Sequence, residues 1–166
     1  MDATIEVNIM YIEKEIKKAI TFYILRICNI RTYALIAYPI IIAAIVLSLI
    51  FDGYAILAAV FFLCGIILYY IYYQRPIDGY IKFYSKKTGG LYCFNEDAVS
   101  FVGKETKGEC AWTAFKKAYE TPSAFLLIDA NEFVHVFSKS SFSEDIMIEQ
   151  LHDLIAAKKP DFKAYS

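Results

Sequence analysis

Between Thr32 and Tyr73 the chain has no Lys, Arg, Glu or His, and the single charge, Asp52, sits beside Gly53 near the midpoint. That absence excludes a water-facing surface for the segment, because a soluble helix keeps one polar face and these residues are apolar all round. Elsewhere the shortages are of chemistry. The four cysteines, Cys28, Cys64, Cys93 and Cys110, form no C-x-x-C pair, and the two histidines, His135 and His152, stand far apart. No disulfide framework, metal site or cofactor is therefore expected. There is no G-x-S-x-G, no H-E-x-x-H and no phosphate loop, since Gly89-Gly90 lacks a following lysine and helix start. Asp97, Glu105, Glu109, Glu120, Asp129 and Glu132 fall in or beside turns, with nothing to mark an acid and base pair. The expectation is a protein that is not an enzyme. A formal net charge of −1 leaves no basic field to hold nucleic acid by its phosphates.

What is there begins with the uncharged stretch itself. Its arms, residues 32–51 and 54–73, are about 20 residues each, and each would span about 30 Å, the thickness of a hydrocarbon core. Two transmembrane helices joined by a tight turn at Asp52-Gly53 are predicted, in preference to the buried hairpin of a soluble bundle. Arg26 and Arg31 precede the first arm, and Arg75, Lys82, Lys86 and Lys87 follow the second. The positive-inside rule then puts both chain ends in the cytoplasm. Tyr33, Tyr69, Tyr70, Tyr72 and Tyr73 would form a belt at the cytoplasmic headgroup level. Pro39 predicts a kink, because it frees the carbonyl of Leu35. Ala44 with Ser48, and Ala55 with Ala59, place small residues four apart, which allows close helix contact within the hairpin or in a homo-oligomer. No ionisable group lies deep in either arm, which argues against a transporter or channel path. The first 20 residues carry Glu6, Glu13, Lys14, Glu15, Lys17 and Lys18 where a signal peptide needs an apolar core, so the hairpin is expected to direct its own insertion.

Three segments follow: 1–31, 32–73 and 74–166. In the first, Thr4 to Met10 alternate as a half-buried strand, and Tyr11 to Ile30 take helical spacing. That helix either lies on the membrane surface or packs on the cytoplasmic domain; the strand before it, which needs a sheet to join, favours the second. Residues 75–87 read as a helical or irregular exit from the membrane. Six short runs follow, rich in β-branched and aromatic residues: 90–95, 98–103, 107–112, 115–120, 124–129 and 132–138. Their separators are turn chemistry, so a curled antiparallel meander is predicted. Ser141 to Glu144 match a capping box, opening a final helix with Met147, Ile148, Leu151, Leu154 and Ile155 as its apolar stripe. That helix would plug the open side of the sheet. Trp112 and His135 read as sheet side chains and His152 as solvated. Lys86, Lys87, Lys104, Lys107, Lys116 and Lys117 could face anionic headgroups, against which an ordinary solvated surface is the commoner outcome.

Cys110 to Phe142 carries a resemblance. A strand ending in Trp112, then Glu120, the strand Phe125 to Ile128, and the segment Phe137-Ser138-Lys139-Ser140-Ser141-Phe142 before the last helix are similar to the YcxB-like family. There the last segment has the form Ile-Pro-Lys-Arg-x-Phe; Lys139 and Phe142 match it, while Ser138 stands in place of Pro and Ser140 in place of Arg. The resemblance covers nearly the whole chain and implies a bacterial inner-membrane protein: a membrane α-helical hairpin plus an α+β cytoplasmic domain, a PH-like curled antiparallel sheet capped by a C-terminal helix. The implied role is a non-enzymatic binding or regulatory module for a cytoplasmic protein partner or the lipid bilayer surface. The alternative is an immunity protein that protects the membrane from a pore-forming toxin. The residues singled out for partner contact are Lys116, Lys117, Lys139 and Phe142 on the domain, with Ala44, Ser48, Ala55 and Ala59 in the hairpin.

Overall fold

The computed structural model describes residues 4–50, 55–87, 89–103 and 107–165. The turn at Asp52-Gly53, Glu105 and Lys104, and the side chains of Arg31, Ser48 and Ala55, lie outside the described residues. The chain is α+β and divides into two compact units, Met1–Ala19 with Phe83–Ser166, and Ile20–Lys82. In the first unit, the strand Ile5–Ile9 from the N-terminal end of the chain is grouped with residues 83–166.

In the first unit β1 (Ile5–Ile9), β2 (Gly90–Phe94), β3 (Ala98–Val102) and β4 (Lys107–Ala111) form one antiparallel sheet in that order. The apolar residues of β1, Ile5, Val7 and Ile9, are all buried, while Glu6 and Asn8 face water. This is the period-two pattern that fixes which side of a strand meets the core. β5 (Phe115–Glu120), β6 (Ala124–Asp129) and β7 (Val134–Ser138) form a second antiparallel sheet, and β8 (Lys163–Ala164) adds to β5 in parallel. Two sheets thus replace the single curled meander. Between β4 and β5 the turn Trp112–Ala114 redirects the chain from one sheet to the other. Trp112 is buried and donates its indole N–H to Asn95 O at 2.8 Å.

α1 (Glu13–Phe22) and α5 (Asp145–Lys158) complete this unit's elements, α1 running into the other unit after Ala19. Ile16 and Ala19 of α1 are buried, so this apolar face is not laid on a membrane surface. Glu15 Oε2 accepts hydrogen bonds from the hydroxyls of Ser138 and Ser140, the latter at 2.7 Å, which ties α1 to the end of β7. From α5, Leu151 and Ile155 enter a core shared with Phe94, Phe125, Leu127 and Phe137. The capping box does not form. Ser141 is taken up in the turn Lys139–Ser141, Glu144 is the N-cap without a side-chain cap bond, and the Ser143 hydroxyl turns to Met147 Sδ at 3.3 Å.

The second unit holds α2 (Ile30–Ile50) and α3 (Ala55–Tyr69), the latter passing through one π-helical turn, Tyr70–Gln74, into α4 (Arg75–Tyr84). The irregular exit that the sequence allowed after Gln74 is helix. α2 is continuous through Pro39. Asn29, with φ of 57°, breaks the chain before α2, and its Oδ1 accepts from the Thr32 hydroxyl at 2.6 Å. α2 and α3 pack together. In α3 the buried small residues are Ala58 and Gly65, two turns apart on one face, and a Cβ at Gly65 would touch Ile41 at 3.9 Å. Ala59 is exposed and Ala44 half-buried, so Ala59 does not serve the hairpin's own contact. Among the described residues Ile56–Tyr84 is the one helix long and apolar enough by itself to cross a membrane. The helical pair Glu13–Ile27 and Thr32–Leu47 passes that test only together, as a bent span.

Candidate functional site

A polar cluster of the first unit is centred on Glu120, the last residue of β5. Its Oε1 lies 2.5 Å from Lys139 Nζ and its Oε2 2.5 Å from His152 Nδ1. The side chain is only 14% exposed. The backbone of Glu120 is also engaged, its carbonyl accepting from Tyr165 N at 2.9 Å beside the β5–β8 pairing. Burial pushes the carboxyl up, but hydrogen bonds from Lys139 and His152 and their charges outweigh it and hold Glu120 below the usual carboxylate range. A carboxylate with both oxygens taken and its proton disfavoured is a poor general acid and a good tie between β5, the turn after β7, and α5.

Lys139 and His152 are each held from a second side by an aromatic ring. Lys139 Nζ sits 5.3 Å from the centre of the Phe125 ring, and the His152 ring meets Phe162 edge-on at 5.1 Å. The sequence placed His152 in solvent; it is half-buried and paired. Nothing in the sequence signals this, since Glu120 and His152 are brought together by the packing of a helix on a sheet. Lys139, singled out for partner contact, spends its charge on Glu120. Phe142 is buried, 6.2 Å from the Phe125 ring, and so supports the turn from within. Lys116 and Lys117 are exposed on β5.

A second polar pair closes the β6–β7 turn. Asp129 Oδ1 accepts from Asn131 N and Phe133 N, and Oδ2 lies 3.3 Å from His135 Nε2. His135 is flanked by the rings of Phe115 and Phe133 at 5.6 and 5.1 Å, which makes it a sheet side chain as expected. Burial lowers its pKa despite Asp129. Asp129 is itself pulled below its ordinary value: burial opposes the shift, but the backbone donors and His135 win. A third group is a tyrosine cluster, in which Tyr11 and Tyr92 share a hydroxyl contact of 2.6 Å and burial raises both phenols. Tyr84 donates to Val134 O at 2.8 Å and accepts from Val136 N at 3.0 Å, capping the outer edge of β7.

The second unit contains an open apolar groove of about 850 Å³ between α2, α3 and the turn before α2, bordered by Leu25, Ala37, Ile41, Leu68, Tyr69 and Tyr72 among others. Its lining offers phenol hydroxyls and no charge. Among the described residues no three His, Cys, Asp or Glu side chains lie together as metal ligands, and no buried side-chain polar atom lacks a hydrogen-bond partner. The four cysteines are unpaired, Cys28 and Cys64 exposed, Cys93 and Cys110 half-buried. No family model matches the sequence, and no curated protein matches it either.

Proposed function

We propose that the chain is an integral membrane protein held by the α2–α3 hairpin, both ends on the cytoplasmic side, with a PH-like domain of the YcxB-like kind acting as a non-enzymatic binding module. The observation that carries this reading is where the exposed apolar surface lies. Most exposed large apolar side chains fall between Tyr33 and Tyr72, among them Ile40, Ile56, Phe62 and Ile66 at 50–80% exposure, and only 11% of the most apolar window of Ile56–Tyr84 is buried. Leaving one Leu or Ile in water forgoes about 1.5–3 kcal/mol. About five of them forgo as much as the whole net stability of a domain, about 5–15 kcal/mol. In hydrocarbon the same side chains cost nothing, and the helical backbone satisfies its own polar groups. The binding role is supported by the saturation of the polar clusters: the Glu120 carboxylate takes up both Lys139 and His152, which suits a scaffold better than a reaction centre.

The test is extraction of membranes from cells that express the full chain. It should stay with the bilayer through an alkaline carbonate wash and leave only with detergent, and a cysteine introduced at Gly53 should react with an impermeant maleimide added from outside. Release by carbonate would end the membrane reading. A second reading, protection against a membrane-active toxin, draws on the apolar groove of the second unit. It predicts that Ala37→Leu, which fills the groove, abolishes protection while Glu120→Gln does not.

A further inference from the structure

Outside residues 30–74, the exposed large apolar side chains among the described residues are Met10, Ile12, Phe83, Leu91, Val102 and Ile146. Of these, Met10, Ile12, Leu91 and Val102 fall at one end of the first sheet. The chain leaves β1 at Ile9, which pairs with Gly90 at the start of β2, so Met10 and Ile12 follow directly on that end. Leu91 and Val102 stand opposite each other across β2 and β3. Phe83 instead packs on Phe133 in the β6–β7 turn, their ring centres 4.6 Å apart.

The outer face of this sheet is sorted by charge along the strands. The row nearest that end reads Asn8, Leu91, Val102, Lys107; the next reads Glu6, Cys93, Ser100, Glu109. Two residues along a strand are about 7 Å, so the acids are set back by that distance from the apolar tips. Just beyond Met10, α1 presents Lys14, Lys17 and Lys18 on one exposed face, with Glu13 the acid beside them, and Lys86 is exposed where the chain returns. Apolar tips, lysines close by in the chain and strand acids set back match the boundary between anionic headgroups and acyl chains, with Glu13 the one acid among the α1 lysines.

We propose that this end of the sheet domain, with Met10, Leu91 and Val102 at its centre and Lys14, Lys86 and Lys107 around them, docks on the anionic surface of the bilayer that holds its own helices. The proposal rests on the membrane reading above and deepens it. The sheet domain is continuous in the chain with the apolar helices on both sides, after Ala19 and before Phe83, so the bilayer is a partner already tethered to it. Tethering raises the effective concentration enough for a few weak contacts to hold.

The test uses the full chain with its native cysteines replaced by alanine and one cysteine introduced, Val102→Cys at the docking end or Ala156→Cys on the exposed side of α5. Each is labelled with a fluorophore and reconstituted in nanodiscs of phosphatidylcholine alone or mixed with phosphatidylglycerol, with spin-labelled lipid as quencher. A chain that carbonate removes from bilayers fails the membrane reading itself, and docking falls with it. For a chain that stays, quenching at position 102 should exceed that at position 156 severalfold in the anionic discs. The contrast should vanish when Lys14, Lys86 and Lys107 are changed to Glu, and weaken at high salt. All three lysines are exposed, so an unchanged thermal midpoint separates lost docking from lost folding. Equal quenching at the two positions in anionic discs overturns the proposal, as does a contrast that survives the lysine reversals with the midpoint unchanged.

Discussion

Gly89 adopts φ of +74°, and a Cβ there would lie 2.2 Å from Ile9 O. Both facts follow from the return of the chain against β1, and both forbid a side chain. Gly89→Ala should therefore cost about 1–3 kcal/mol, read as a lowered denaturation midpoint of the full chain; a wild-type midpoint would contradict the register given for β1 and β2. Acid stability also turns on single residues. Burial holds the folded-state pKa of His135 below its ordinary 6.5, so as pH falls through 6.5 the unfolded chain takes up this proton first and stability drops. Glu120 is held below its ordinary 4.5 and Asp129 below its ordinary 3.8. Their contribution is present above those values and is lost as pH falls toward the folded-state values. The thermal midpoint should be flat near neutral pH and fall in two stages, and His135→Asn should remove the stage that starts near 6.5 while leaving the one that starts near 4.5.

At the scale of elements, α5 separates a motif from what it does. The Ser141-Phe142-Ser143-Glu144 box has the right letters, yet Ser141, its capping residue, lies in the turn Lys139–Ser141, and the helix begins only at Asp145 with Glu144 as its N-cap. Ser141→Ala should change stability by no more than about 0.5 kcal/mol, whereas a true cap would cost about 1 kcal/mol. Leu151→Ala, emptying a fully buried site, should cost about 2–5 kcal/mol. Chemical denaturation of the two variants side by side decides it. The strands were easier to read than the helix start. β5 and β6 have the predicted limits, Phe115–Glu120 and Ala124–Asp129, since alternation and turn residues are local signals. Thr121, in the turn between them, shows the reason: its hydroxyl donates to Ala124 O at 2.8 Å and accepts from Ala124 N at 2.9 Å.

At the scale of the molecule, the first unit is assembled from both ends of the chain. β1 pairs along its length with β2, so a fragment of residues 83–166 would lack a strand and expose the edge of β2 to aggregation. That fragment should be insoluble or non-cooperative in thermal unfolding, and a peptide of residues 1–19 added during refolding should restore a cooperative transition. A fragment that folds by itself as a monomer would contradict this assembly. By itself the sequence determined the uncharged apolar arms, the series of short strands and the final helix, because composition and period act over a few residues. Only the tertiary structure decided that β1 completes a sheet begun some 80 positions later. The same holds for the division of the strands into two sheets and for Glu120 meeting Lys139 and His152. Those contacts join residues that no local pattern connects, and they exist because apolar faces of distant elements bury one another and the polar groups at the seams must then find partners.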